Sequence, residues 1–302
     1  CICHDSLMMR WIGPWDGLNV YNGYDFKTYK FAPDNTNTIS NNVIRNIVEE
    51  SPGIMWVSTD YGINRIDVKN DRIERFYPGY EDNSPTAERV FSVAAAADGL
   101  VFCAATGWGI ACYDQKSKGL TAFNIPRFNP TEIRTIHYGG RNSLLLYTIH
   151  GGLVRIRYAL SEGGGNFEVR ETTELFPAGD IESLFDCKGA LYMVDANSVF
   201  YSYDRQTGVL SALDKFPPPY KGAVRAVTRY DTNKLLIVTG SSDVWVYNIA
   251  DRTFSRLSHI PEINILSLYA GSQGILWVGS DGQGVVGIYN DTVEFDTPPT
   301  QR

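Results

Sequence analysis

What most limits the fold of this chain is a run of strand and turn signals at residues 53–76, GIMWVSTDYGINRIDVKNDRIERF, that recurs along it. Met55-Trp56-Val57 is apolar, Ile63-Asn64-Arg65-Ile66 resumes after a tight turn at Tyr61-Gly62, and Ile73-Glu74-Arg75-Phe76 follows Lys69-Asn70-Asp71. Each run has the β-branched and aromatic content of a strand, and each gap has the Gly, Asn or Asp of a turn. The pattern returns at 274–290, GILWVGSDGQGVVGIYN, and at 10–21, RWIGPWDGLNVY. With Trp56 as anchor, Trp11, Phe102, Leu146, Tyr192, Leu236 and Trp277 open comparable strands, with gaps in chain order of 45, 46, 44, 46, 44 and 41 residues. A period of about 44 residues divides the 302-residue chain into close to seven units.

Upstream of the anchors lies another strand with the pattern apolar, any, small, apolar. It reads Ile44-Arg45-Asn46-Ile47, Val90-Phe91-Ser92-Val93, Ile133-Arg134-Thr135-Ile136 and Ile181-Glu182-Ser183-Leu184. Val224-Arg225-Ala226-Val227 and Ile265-Leu266-Ser267-Leu268 complete the set. A four-stranded unit of this length is the size of one propeller blade. The small residue fits inner strands that crowd a common axis, and the apolar middle strands fit coverage on both faces by neighbouring blades. A helical solenoid of similar period needs apolar residues at helical spacing, whereas these segments are short and rich in Val, Ile and Tyr. The prediction is an all-β, seven-bladed β-propeller with four antiparallel strands per blade. It forms a single domain over residues 1–302, with blades at approximately 1–38, 39–86, 87–131, 132–179, 180–221, 222–262 and 263–302.

Composition narrows the partners. Hydrophobic residues make up 43% of the chain and aromatics 13%, which is ample for a core. A net charge of -7 argues against nucleic acid or an anionic membrane as the main partner. The longest apolar runs, such as Val93 to Ala97, are far too short to span a membrane. Cys1-Ile2-Cys3 matches only the end of an inner strand, so the chain reads as a fragment, and membrane attachment is expected only through other parts of the protein. Cys1, Cys3, Cys103, Cys112 and Cys187 sit mostly on strand-like segments and read as buried free thiols. Cys1, Cys3 and His4 on one strand cannot all face one ion, so no metal and no cofactor is expected.

Along the chain, Gly23-Tyr24 turns into Phe26-Lys27-Thr28-Tyr29, and Asp98-Gly99 and Gly107-Trp108-Gly109 are the first two turns of blade three. The stretch from Ser161 to Asn166 reads as a flexible hairpin tip, Pro217-Pro218-Pro219 as a stiff connector, and Val293-Glu294-Phe295 as the closing strand. Each terminus supplies most of its own blade, so closure is expected to rest on side-chain packing between blades one and seven.

These repeats resemble the two-component regulator propeller repeat of extracytoplasmic sensor regions in hybrid two-component histidine kinases. Three segments carry the resemblance: Gly53-x-x-Trp56-Val57-Ser58-Thr59-Asp60-x-Gly62-Ile63-Asn64-Arg65, Gly274-x-x-Trp277-Val278-Gly279-Ser280-Asp281 and Trp11-Ile12-Gly13-x-x-Asp16-Gly17-Leu18-Asn19. Tyr21-Asn22-Gly23-Tyr24-Asp25-Phe26 into Ile39-Ser40-Asn41-Asn42 is similar to the way such sensors begin. The likeness is strong in blades one, two and seven and faint in four to six. It implies a periplasmic or extracytoplasmic input module of a membrane-anchored sensor. It further implies a carbohydrate-type ligand, neighbouring sensor domains in the same chain and a histidine kinase elsewhere in the intact protein. Some propellers of such sensors serve only as scaffold.

In a propeller, the turns after the second strand and the starts of the inner strands share one face. The turns here project Trp15, Tyr61, Trp108, His150, Asn197, Asp243 and Gln283, so three consecutive blades present an aromatic ring. Such rings suit sugar faces. Arg45, Arg134, Glu182 and Arg225 sit at the inner-strand starts, where guanidinium groups hold a carboxylate or sulfate by paired hydrogen bonds. The candidate ligand-binding set is therefore Trp15, Tyr61, Trp108, His150, Arg45, Arg134, Glu182 and Arg225. Against it stand simple packing of the three rings under loops, and pairing of the arginines with Glu182 or backbone carbonyls across blades. Asp60 and Asp281 read as caps of their own turns, and His137 and His259 as ordinary strand or loop residues.

The leading functional reading is a non-catalytic sensory module for an oligosaccharide. A scaffold for protein interaction or homodimerisation is the second reading, and a propeller glycosidase or lyase the third. A glycosidase needs two carboxylates across the channel, and Glu182 is the one acid placed at the inner rim. No nucleophile elbow, metal cluster or phosphate loop is recognisable.

Overall fold

The computed structural model describes residues 2–13, 16–79, 89–96, 99–160, 167–187, 189–216, 224–257, 263–271, 275–281 and 284–289. They build seven antiparallel sheets with strands in sequence order, and the fold is a seven-bladed β-propeller. The inner strands are Ile2–His4, Ile44–Ser51, Phe91–Ala95, Ile133–Tyr138, Ile181–Cys187, Val224–Arg229 and Ile265–Ala270. The second strands are Arg10–Ile12, Ile54–Thr59, Val101–Ala105, Ser143–Thr148, Ala190–Asp195, Lys234–Thr239 and Ile275–Ser280. Third strands follow at Leu18–Tyr21, Gly62–Asp67, Gly109–Asp114, Leu153–Leu160, Val199–Asp204, Val244–Asn248 and Val285–Tyr289. Outer strands are Phe26–Tyr29, Arg72–Phe76, Gly119–Ala122, Phe167–Phe176, Val209–Lys215 and Thr253–Arg256. The strand expected at 293–295, the hairpin tip at 161–166, the connector at 217–219 and the turn at 98 lie outside the described residues, as do Cys1 and His259.

The chain divides into two compact units, residues 1–180 with blades one to four and residues 181–302 with blades five to seven. In the first unit the inner strand of blade three lies between those of blades two and four. In the second, the inner strand of blade six lies between those of blades five and seven.

The second strands show why this packing holds. They are buried along nearly their whole length, and alternate side chains enter two different cores. Met55 and Val57 pack with Trp11, Leu18 and Ile47 between blades one and two. Trp56, between them in sequence, packs with Ile63, Phe91 and Val93 between blades two and three. In the second unit Leu235 and Ile237 join Tyr192 and Phe200, while Leu236 and Val238 join Leu276 and Val278. Each such side chain contributes roughly 1.5–3 kcal/mol of burial, so a blade is held by its neighbours more than by itself.

Two local devices explain the recurring letters. Trp11 and Trp56 are fully buried, and each donates its indole N–H to a carboxylate six residues upstream, Asp5 at 2.8 Å and Glu50 at 2.7 Å. The glycine opening the third strand is needed for space. A Cβ at Gly17 (φ +94°) would lie 2.7 Å from the Tyr29 carbonyl oxygen, and at Gly62 (φ +147°) 2.9 Å from that of Phe76. Both meet the end of the outer strand in their own blade.

Blade four departs from the expected register. Its Leu145, opposite His137, holds the position that Trp56 holds opposite Val48, so Leu145 and not Leu146 is the anchor. Leu146 faces the opposite way, into the core between blades three and four. Three of the cysteines, Cys103, Cys112 and Cys187, are buried, and Cys3 is half-buried. Burial pushes the Cys103 thiol well above its usual pKa and Cys187 up to about 12.

Candidate functional site

The inner strands begin in a repeated irregularity. In blades two, four, five, six and seven the strand pairing skips one residue after the first pair, at Arg45, Arg134, Glu182, Arg225 and Leu266. This is a β-bulge, which leaves the extra residue unpaired and re-aims its side chain. All five bulged residues are exposed, although the apolar residue before each is buried. Blade three has no bulge. Its Phe91 takes the place of the buried apolar residue and packs into the core between blades two and three, leaving Val90 exposed ahead of the strand.

The second-to-third-strand turns lie at the same end of the blades and are stitched to these starts through the backbone. The N–H groups of Asp60, Thr106, Ile149 and Asp281 donate to the carbonyls of Val43, Val90, Glu132 and Asn264, each in its own blade. Gly17 and Gly107 donate to Asn42 and Thr131 of the next blade, at 2.9 Å each. The turns are therefore fixed platforms for the side chains they carry.

In the first unit, Tyr61 and Trp108 are half-buried in their turns, and Trp108 packs against the core between blades two and three. His150 is exposed, and its carbonyl accepts from Gly179 N–H at 2.6 Å. Trp15 and Gln283 lie outside the described residues. Arg45, with 47% of its side chain exposed, pairs with Asp60 of its own blade. Asp60 thus serves Arg45, while the turn itself is capped by Thr59, whose hydroxyl accepts from Tyr61 N–H at 3.2 Å. Arg134 is exposed and forms no ion pair among the described residues. His137 is buried on the same strand, its Nε2 3.2 Å from the Thr135 hydroxyl.

In the second unit, Glu182 and Arg225 are exposed on their bulges. Arg225 donates to Oδ1 of Asn264, at the start of blade seven. Asn264 in turn donates to Asp281 at 3.3 Å, and Ser242 reaches both Asn264 and the Ile265 N–H. Asp281 therefore accepts from Asn264, while residues 282 and 283, on which the expected cap of its own turn falls, lie outside the described residues. Asp243, partly exposed in its turn, pairs with Arg256. Asn264 is a rim residue that sequence reasoning missed. It precedes the inner-strand pattern by one position, and nothing in a single sequence marks a polar residue there.

The two arms of the site have matching chemistry. Half-buried rings offer an apolar face, and exposed guanidinium groups offer paired donors.

No protein-family model and no curated protein matches the chain. Solved structures do. The extracellular domain of BT4673 from B. thetaiotaomicron, described as a one-component system in one structure and a hybrid two-component system in another, is 22% identical. The first superposes with a TM-score of 0.63 over 94% of this chain and 37% of that one. The extracellular domain of the hybrid two-component system BT3049 from the same organism is 16% identical, with a TM-score of 0.52 over 97% of this chain and 46% of that one. A computationally designed protein, Ika8, gives 14% identity and a TM-score of 0.60 over 97% and 84% of the two chains. At these identities the likeness is one of fold. The chain spans less than half the length of each of the two B. thetaiotaomicron domains, 37% and 46%.

Proposed function

We propose that this chain is a non-catalytic sensory propeller of a bacterial two-component signalling protein, acting outside the cytoplasm. Its bulge-bearing face would take an oligosaccharide that carries a carboxylate or sulfate. The extracellular signalling domains of B. thetaiotaomicron that share its fold support the class. The observation that carries the site is the repeated bulge, which holds Arg45 and Arg134 exposed beside turns that present Tyr61, Trp108 and His150. Guanidinium groups kept in water by backbone geometry retain donors for a ligand, and Tyr61 and Trp108 supply stacking surface.

The test is titration calorimetry against a panel of neutral, uronic-acid and sulfated oligosaccharides, run on the wild type and on Arg45→Gln with Arg134→Gln. The Arg45–Asp60 pair is solvent-exposed, so the double variant should keep its thermal stability within about 1 kcal/mol. Selective binding of an acidic glycan, weakened at least about tenfold in the variant, supports the reading. Equal affinity in both proteins, or no binding to any glycan, overturns it and leaves the interaction-scaffold reading.

A further inference from the structure

We infer that Arg134, Val90 and Ile149 form one amphipathic subsite on the bulge-bearing face. Given the reading of that face as an acidic-glycan site, on which this rests, the sugar it selects carries a methyl-bearing substituent beside its carboxylate or sulfate, such as an O-methyl or N-acetyl group. All three residues belong to the first unit, where blades three and four begin and blade four makes its second-to-third-strand turn.

Blades two and four are built alike at this end. Ile44 pairs with Thr59 and Ile133 with Thr148, and the next residue of each inner strand, Arg45 or Arg134, is the bulged one. The residue after each threonine is equivalent too, for Asp60 N–H donates to the Val43 carbonyl and Ile149 N–H to that of Glu132. From that position Asp60 pairs with Arg45. Blade four has Ile149 there, which offers Arg134 no charge. Ile149 is 43% exposed, in a turn of the kind that ordinarily carries Gly, Asn, Asp or Ser. Val90 is the second apolar member. Blade three has no bulge, so Val90 stands ahead of its inner strand and is 39% exposed. The Thr106 hydroxyl lies 3.4 Å from the Val90 carbonyl oxygen and 3.1 Å from that of Ile133, which brings Val90 to the residue before Arg134.

The acid closest to Arg134 in sequence is Glu132. Its Oε1 accepts from Asn129 Nδ2 at 3.2 Å, and it makes no ion pair with Arg134 among the described residues. Glu132 balances the charge of Arg134, so what sets this place apart is its apolar flanks and not an excess of charge. Apolar side chains scattered singly over a surface are ordinary. Two gathered about one exposed guanidinium match a ligand with an anionic group and a methyl side by side. The guanidinium takes the carboxylate or sulfate by paired hydrogen bonds, and the valine and isoleucine cover the methyl.

The test is titration calorimetry of the 302-residue chain with sodium glucuronate, sodium O-methylglucuronate and neutral methyl glucoside. The two acids carry the same charge and differ by one methyl group. The same titrations are run on Val90→Ser with Ile149→Ser, two exposed positions, and on Ile149→Asp, which builds into blade four the ion pair of blade two. We expect the wild type to favour the methylated acid about fourfold, the worth of one buried CH₂ group, and to bind the neutral glycoside more weakly than either acid. The double serine variant should lose that preference and still bind glucuronate. Ile149→Asp should weaken both acids at least about tenfold. Equal affinity of the wild type for the two acids, a preference unchanged in the serine variant, or acid binding unchanged in Ile149→Asp overturns the subsite and leaves acidic-glycan recognition standing. Binding of neither acid, alongside binding of an acidic oligosaccharide from the panel above, likewise overturns the subsite alone. Binding of no acid of any size overturns both.

Discussion

Glu50 offers the sharpest test of how the blades hold together. Its side chain is 6% exposed and accepts from Trp56 Nε1 at 2.7 Å, Arg65 Nε at 3.1 Å and, from blade three, Gln115 Nε2 at 3.2 Å. Glu50→Ala leaves a fully buried indole N–H without its acceptor and a guanidinium, 20% exposed, with only Glu74 at 3.8 Å. Breaking a buried ion pair by removing one partner costs roughly 3–5 kcal/mol, and partial exposure of Arg65 favours the lower end. For a chain of 302 residues that corresponds to a fall in Tm of about 5 °C. The exposed pair partner Arg72 sets the scale, since Arg72→Ala should cost less than about 1 kcal/mol. Replacing the pair by apolar groups of similar size, Glu50→Leu with Arg65→Met, should recover most of the loss because no charge is left stranded. Calorimetry and urea unfolding followed by tryptophan fluorescence read all three variants. A Glu50→Ala protein within about 1 kcal/mol of wild type would refute the reasoning, since solvent would then be replacing the carboxylate.

Two further outcomes follow from the packing. Gly62→Ala should lower stability by roughly 1–3 kcal/mol, because its Cβ would meet the Phe76 carbonyl oxygen at 2.9 Å in a strained backbone region; unchanged thermal melting would show that the outer strand yields freely. The buried thiols of Cys103 and Cys187 should resist iodoacetamide at pH 8 in the native protein and react once urea unfolds it. For Cys187 the folded pKa is raised from 9.0 to about 12, so the folded chain keeps a proton that the unfolded chain releases. Its contribution to stability is full below about pH 9 and lost as pH rises towards about 12, so denaturation midpoints should fall across that window, and fall less in Cys187→Ala.

Much of the architecture is legible in the residues alone. Period, strand content and turn residues gave seven units, and the strands fall where Ile44–Ile47, Ile133–Ile136 and Val224–Val227 announced them. That success has a local cause. A strand buried on both faces must be apolar throughout, and a tight turn must carry Gly, Asn or Asp, whatever surrounds it. The small residue of the inner strand has its partner in the next blade, for the Ile136 N–H donates to the Ser92 hydroxyl at 3.0 Å.

Side-chain direction was decided only by the tertiary structure. Arg45 and Phe91 occupy the same letter position in their repeats, yet Arg45 stands in water on a bulge and Phe91 lies in the core of a strand without one. A strand alternates faces at every residue, so one inserted residue reverses everything before it, and a single sequence does not record the insertion. The same parity moved the anchor of blade four from Leu146 to Leu145. It also joined Arg45 to Asp60 and Arg225 to Asn264, partners 15 and 39 residues away that are brought together by strand pairing and blade packing. The chain's letters carry its blades, and only the packed sheets determine which of those letters face the solvent.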